Sequence, residues 1–246
     1  MYQDYLDEGR PKSVLYSHLD SKRFGQKIGR VSFGPDDSIC LRKLSHDVQE
    51  FDLVFVRLPT SKSILVRELM KELDVFQADT LTYFCKVGLA STADMARPPT
   101  ELVTPDCVAA HIRASFVEYV NHYTADPDLD KSKSLEGYVE WATRMSGEAN
   151  VCLVPVVESG HLNALAVVQI VNQSAEILLN SVEPSARGRG IYSHLLELVE
   201  EEIVLRGCTT LRVSTQVSNR TVINTLIRRG FLLEETFMTL HVRPKQ

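Results

Sequence analysis

Residues 187–191 read Arg-Gly-Arg-Gly-Ile, two cations alternating with two glycines at the head of an amphipathic segment. A glycine-rich turn running into a helix presents consecutive backbone N–H groups, and the helix adds the positive end of its dipole. The glycines let an anion reach those amides, because no side chain stands in the way. Arg187 and Arg189 add charge beside them. Such a turn is a local pyrophosphate site. It is not a Walker loop, since no Gly-Lys-Ser/Thr follows. It is not the dinucleotide fingerprint either, because the third glycine is absent and Tyr192 stands just past the turn.

The turn works only if a strand delivers it and a helix leaves it. The pattern predicts strands at 151–157, 164–171 and 175–182, the last ending just before Pro184. A helix follows from Ile191 to Arg206, with Ile191, Leu195, Leu198, Val199 and Ile203 apolar and Gly207 as its stop. A strand at 209–216, a helix capped near Ser218 or Asn219 and stopped at Gly230, and a last strand through Val242 complete the chain. Upstream, strands are expected at 27–33, 52–59 and 80–89. A helix at 61–73 turns Ile64, Leu65, Leu69 and Leu73 to one side. The prolines between about 90 and 105 mark a connection. A helix over 105–121 carries Val108, Ile112, Phe116 and Val120 inward, and a polar loop, HYTADPDLDKS, leads to a helix around 135–144.

One internal comparison bears on domain organisation. The strand–helix–strand stretch from DLVFVRLP to FQADTLTYF resembles the stretch from TTLRVSTQ to FLLEETFMTL in length, order and register. Two related α/β halves, or two unrelated units of common layout, both produce that pattern. The chain divides into residues 1–100 and 101–246.

With 246 residues, 44% hydrophobic and 24% charged, the chain can bury a core in two small domains. Its net charge of −5 supplies no global field for nucleic acid. No apolar run approaches the roughly 18 residues that span a bilayer, and the acidic start MYQDYLDEGRPK is unlike a signal peptide. Five scattered cysteines without paired spacing argue against a disulfide framework and a zinc site, and fit a reducing, cytoplasmic setting. Cys152 and Cys208 read as small buried hydrophobes, and Trp141 with Tyr138 as core.

The order strand, Val-x-Pro, Arg-Gly-x-Gly-Ile opening a helix, strand, then NRTVINTLIRRGF (219–231) resembles the GCN5-related N-acetyltransferase (GNAT) superfamily. Three segments, DSKRFGQKIGR (20–30), HYTADPDLD (122–130) and TTLRVSTQVSN (209–219), resemble the dTDP-fucosamine acetyltransferase type. The resemblance implies an α/β (α+β) GNAT fold, a mixed central sheet flanked by helices. The smaller N-terminal α/β domain would be either an acceptor-binding domain or a degenerate GNAT-like half. It implies acetyl-CoA as cosubstrate, no metal, and direct attack of an amine on the thioester. The acceptor would be a nucleotide-linked amino sugar, with no nucleic-acid or membrane partner and a homodimer left open. Alternatives are an amino acid, peptide or antibiotic amine, or acyl-CoA binding without catalysis.

Carried over residue by residue, Leu179 to Val182 would lie along the pantetheine arm, with a backbone N–H near Ser181 or Val182 on the thioester carbonyl. The amides of Arg187, Gly188, Arg189, Gly190 and Ile191 would hold the pyrophosphate. Asn219 would either contact the cofactor's arm or serve as a plain helix cap. Leu226 occupies the place of the tyrosine that protonates the departing thiolate in many members. Tyr192 or a water would then donate, although a thiol departs without a strong acid. The amine must lose a proton; Glu176, His122, Asp126 and His194 are candidates, His194 reading more as surface. His122, Tyr123 and Asp126 are expected to meet the acceptor.

Overall fold

The computed structural model describes residues 12–89 and 103–245. The elements are β1 (Leu15–Tyr16), α1 (His18–Phe24), β2 (Ile28–Ser32), α2 (Leu41–Val48), β3 (Leu53–Pro59), α3 (Ile64–Glu72) and β4 (Leu73–Val87). Then come α4 (Pro105–Phe116), α5 (His122–Ala125), α6 (Lys131–Met145), β5 (Val151–Glu158), β6 (His161–Val171) and β7 (Ser174–Val182). The chain closes with α7 (Ile191–Leu205), β8 (Thr210–Gln216), α8 (Arg220–Arg228) and β9 (Leu232–Pro244). Contacts gather them into two units. Unit 1 draws its described residues from Met1–Leu81, Val120–Lys133 and Glu235–Gln246, and unit 2 from Thr82–Tyr119 and Ser134–Glu234.

In unit 2 the strand order is β4-β8-β7-β6-β5. β5–β6 and β6–β7 are antiparallel and β7–β8 parallel, so the sheet is mixed. Its inner strand β6, beside β5, reads Asn-Ala-Leu-Ala-Val-Val because both its faces are covered, which removes the polar half of a strand's alternation. Ala164, Ala166 and Val168 face the core that Leu195, Leu196, Val199 and Ile203 of α7 close. Leu165 and Val167 face Val108 and Ile112 of α4 and Val139 and Ala142 of α6. This is the helix-flanked mixed α/β sheet that the sequence resemblance implied.

In unit 1 the order is β1-β2-β3-β9, with β2–β3 parallel and β1–β2 and β3–β9 antiparallel. Val54, Val56 and Leu58 of β3 join Met238, Leu240 and Val242 of β9, with Leu44 and Val48 of α2 and Leu69 of α3, in an apolar core. The two strand–helix–strand stretches that look alike in sequence, β3–α3–β4 and β8–α8–β9, are interleaved. The end of β9 completes unit 1 beside β3, and the end of β4 belongs to unit 2 beside β8.

Element boundaries depart from expectation where capping and context outweigh periodicity. The helix expected over 105–121 ends at Phe116, and Val120, expected inward, is exposed. Thr104 caps its start by accepting from the Cys107 amide. The expected helix 61–73 is a short 3₁₀ turn, Thr60–Lys62, followed by α3, so Ile64 falls on an exposed first turn while Leu69 and Leu73 are buried. β4 begins at Leu73, seven residues ahead of the expected strand. The loop at 122–132 contains the one-turn α5, with Asn121 accepting from the Tyr123 and Thr124 amides in a capping box. The proline-rich connection and the acidic N-terminal stretch lie largely outside the described residues. Among the described residues, no helix is long and apolar enough to cross a membrane, and no group of three or more His, Cys, Asp or Glu could hold a metal ion. Cys152 and Cys208 are buried and unbridged; burial pushes the Cys152 thiol up to about 11. Trp141 and Tyr138 pack partly buried against the α4–α6 core.

Candidate functional site

Strand β7 changes character midway. From Ser174 to Ile177 it pairs in parallel with Thr210–Val213 of β8 and in antiparallel with β6. At Leu178 the β6–β7 register shifts: Val168 pairs with Ile177 but Val167 with Leu179, so Leu178 is an extra residue. A β-bulge of this kind resets the alternation of side chains. Ala175 and Ile177 sit in the α7-side core, whereas Leu179 sits in the α4–α6 core. Pairing with β8 also stops there. Among the described residues, Leu178–Val182 therefore pairs only with β6 on one edge, and no registered partner strand lies along its other edge. The parallel strands part where the bulge bends one of them.

The parted strand leads to the glycine turn. After the 3₁₀ turn Pro184–Ala186, Gly188 and Gly190 take φ of +78° and +81°. A Cβ at either would meet nothing within 4 Å, so backbone conformation and not space requires glycine there. Gly190 caps α7 without a side-chain bond, and the first intrahelical bond runs from the His194 amide to its carbonyl. Among the described residues, the backbone N–H groups of Gly188 to Ser193 meet no protein acceptor. Six successive amides and a helix dipole thus converge at the end of the open strand edge.

The arginines of this turn are tethered. Arg187 donates from Nε to the Val182 carbonyl at 3.3 Å and from Nη2 to the Ser115 carbonyl at 3.0 Å, joining the turn to the end of α4. Arg189 pairs with Glu158 at 2.8 Å, both side chains well exposed. Their charge stays beside the amides, but neither guanidinium projects freely. Ser181 is held from the side by His111, a residue without any motif to announce it. His111 Nδ1 donates to the Leu162 carbonyl at 3.1 Å, which leaves Nε2 to accept from Ser181 Oγ at 2.9 Å. Burial holds His111 below the ordinary imidazole value, so it is neutral. Only an i, i+4 pairing with Ser115 on α4 could have hinted at it in the sequence.

The remaining expected residues are dispersed. Asn219 caps α8, its Oδ1 accepting from the Val222 amide at 3.4 Å. Leu226 is completely buried in the α7-side core. Tyr192 packs against that core; its hydroxyl is buried without a hydrogen-bond partner, and burial raises it above the ordinary phenol value. Glu176 is half-buried on β7, opposite Gln169 and Arg212. His194 is exposed beside Glu197.

His122, Tyr123 and Asp126 belong to unit 1, where they enter a buried polar network. Asp126 accepts from His241 Nδ1 at 2.5 Å and from Arg243 Nη2 at 2.7 Å. Burial alone would raise this carboxyl, but those bonds bring it down to about 2. His241 Nε2 meets His122 Nδ1 at 2.9 Å. Tyr123 Oη donates to Asp20 at 3.0 Å and accepts from Arg30, which also pairs with Asp20. The segments 20–30 and 122–130, both singled out in the sequence, therefore hold each other.

The acetyltransferase (GNAT) family model matches residues 114–231. That segment is similar to the acetyltransferases of that family. It contains the bulged strand, the amide turn and α7 in one run. Solved structures share the fold at low identity. A GCN5-related N-acetyltransferase from Sphaerobacter thermophilus has a TM-score of 0.53 at 16% identity, covering 78% of this chain and 59% of its own. A conserved protein of unknown function from Staphylococcus epidermidis reaches 0.61 at 10% identity, covering 100% of this chain and 96% of its own. A tandem GNAT protein from the clavulanic acid biosynthesis pathway reaches 0.50 at 14% identity, covering 81% and 65%. This chain thus spans less than two thirds of the Sphaerobacter protein, and these likenesses concern the fold. No curated protein matches it. The matched segment carries every residue expected on the cofactor side, whereas His122, Tyr123 and Asp126 fall in unit 1 although that segment includes them.

Proposed function

We propose that this protein is an acetyl-CoA-dependent N-acetyltransferase. The observation that carries the reading is the open edge of β7 beyond Ile177, ending at the unmet amides of Gly188–Ser193. An extended arm with amide groups fits such an edge, and a diphosphate fits such a turn. Gly188 and Gly190 supply the left-handed backbone that aims the amides. Acetyl-CoA would bring an activated thioester, whose acetyl carbon a neutral amine attacks directly. Leu179–Val182 would line its arm, and Arg187–Ile191 would hold its phosphates. No side chain at Leu226 can donate a proton, and none is required, because a thiol of pKa near 8.5 leaves as the thiolate.

The acceptor we infer is an amine on a nucleotide-linked sugar. Support for it is the resemblance of the segments 20–30, 122–130 and 209–219, and it is independent of the cofactor site. Two measurements separate these layers. Acetyl-CoA should raise the melting temperature of the wild type, and Gly190→Val should abolish that rise. Coenzyme A release should then appear with 3-amino or 4-amino nucleotide sugars; turnover with peptides or polyamines only would replace this acceptor. The burial of Leu226 favours one competing reading, acyl-CoA binding without transfer. Thermal protection by acetyl-CoA without turnover of any amine would establish it.

A further inference from the structure

On the open stretch of β7 beyond the bulge, the side chain of Ser181 meets a buried base. Ser181 Oγ lies 2.9 Å from His111 Nε2, and His111 Nδ1 lies 3.1 Å from the Leu162 carbonyl. A carbonyl can only accept, so Nδ1 carries the ring proton and Nε2 is a lone pair that receives the Ser181 hydroxyl. Ser115 Oγ, one turn along α4, stands 3.4 Å from the same nitrogen. A hydroxyl is thus paired with a neutral base whose ring a third group orients, which is how an alcohol is made able to pass on a proton. Ser181 gives its one hydrogen to His111, and among the described residues no donor reaches its oxygen. Ser181, His111 and Ser115 are all buried, so bulk water does not compete for the imidazole lone pair.

The hydroxyl belongs to the stretch that would hold the acyl group. The Glu183 amide donates to the Asn163 carbonyl, which sets the phase of the β6–β7 ladder. The backbone groups of Ser181 therefore turn to Leu165, and those of Asn180 and Val182 turn to the open edge. An arm added to that edge like a strand sets its carbonyl groups near the plane of the sheet. A nucleophile attacks a carbonyl carbon from one face, hence from one side of the sheet. On the α7 side, Val182 and Tyr192 pack against the core. The α4 side carries Ser181 and His111. Of the bases that the sequence offered in unit 2, Glu176 precedes the bulge and His194 is exposed beside Glu197.

We propose that Ser181 and His111 form a proton relay for the attacking amine. As the C–N bond forms, an amine hydrogen passes to Ser181 Oγ while the Ser181 proton passes to His111 Nε2. The C–S bond then breaks, and sulfur leaves with its electron pair as the thiolate. The imidazolium returns its proton to the thiolate or to water, and the serine ends unchanged. Ser181 touches the amine; His111 acts through it. Burial holds His111 below the ordinary imidazole value, so it waits in the accepting form. Among the charges on the elements around it, Glu183 favours its protonation, Arg187 is bonded to the Ser115 carbonyl, and Arg113 is exposed and paired with Glu136. Asp106 on the first turn of α4 and His161 beside Leu162 are the titratable groups nearest in sequence.

The relay rests on the acetyl-CoA reading of the open edge, and its test separates the two. Coenzyme A release from acetyl-CoA, above the uncatalysed rate, is followed with methoxyamine, an acceptor neutral between about pH 5.5 and 8, so that a base on the protein is the group that titrates. The wild-type kcat should fall on the acid side, below about 6.5, as His111 becomes protonated. Ser181→Ala should lower kcat at least about tenfold and abolish that acid limb. KM for acetyl-CoA and the melting shift that it produces should stay as in the wild type. His111→Asn, which keeps a donor for the Leu162 carbonyl, should do the same, and Ser181→Thr, which keeps the hydroxyl, should restore both rate and limb. A Ser181→Ala enzyme with the wild-type rate, or a slower one that retains the acid limb, overturns the relay and leaves the acyltransferase reading standing. A wild type that acetyl-CoA stabilises but that releases no coenzyme A overturns transfer and relay together. Absence of any melting shift overturns the cofactor site itself, and the relay with it.

Discussion

The two arginines of the RGRG string look equivalent in the sequence, yet their surroundings give them different work. Arg187 ties the turn to α4 and β7 through carbonyls of Ser115 and Val182, whereas Arg189 makes an exposed pair with Glu158. Arg187→Met should therefore destabilise the protein by about 1 kcal/mol in urea unfolding. Arg189→Met should stay within about 0.5 kcal/mol, since exposed pairs contribute little. The prediction for Gly190 follows from its φ of +81°. Gly190→Ala should cost about 1–2 kcal/mol even though its methyl would meet no neighbour, and it should also weaken protection by acetyl-CoA. An alanine variant as stable as the wild type would show that the turn relaxes. The motif revealed these glycines. It could not reveal His111, which no spacing marks and which matters only because α4 passes over Ser181.

At the scale of elements, the bulge at Leu178 decides what β7 can do. Deleting Leu178 would remove the bend and leave Leu179 opposite Val167 and Ser181 opposite Leu165, still on the α4–α6 side. The His111–Ser181 bond should survive, but without the bend β7 should continue beside β8 and close its open edge, so melting curves should show loss of the acetyl-CoA shift. Helix α7 supplies the rigid base of the turn through side chains that are wholly buried. Leu195→Ala should cost about 2–5 kcal/mol, measured by denaturant unfolding, with no change in the cofactor's own contacts. Period-2 and period-3.6 patterns gave β7, α7 and α8 to within a residue or two, because each is long and one-sidedly or wholly apolar. They misjudged Val120 and Ile64, where a one-turn element and a 3₁₀ turn change the phase.

For the molecule as a whole, acid response should be set by buried imidazoles. His111, His122 and His241 all have folded-state values lowered by burial, so below about 6.5 the unfolded chain binds protons that the folded chain refuses. Stability is thus full above that value and falls as pH drops through it. Asp126, held near 2, adds a second loss as pH falls below the usual carboxylate value towards its own. Unfolding free energy should decline from pH 7 to 5, and His122→Gln should flatten that slope; a slope equal to the wild type's would mean that His122 titrates normally when folded. The sequence alone determined the acetyltransferase architecture and the place of its amide turn, since backbone conformation there is dictated by residues adjacent in the chain. Tertiary structure alone decided where β7 parts from β8, that β9 ends beside β3 and β4 beside β8, that Asp20 and Arg30 meet Tyr123, and that Asp126, His241 and His122 form one hydrogen-bonded chain. Those facts depend on pairings between residues far apart in the chain, and local patterns carry no trace of which strand will lie beside which.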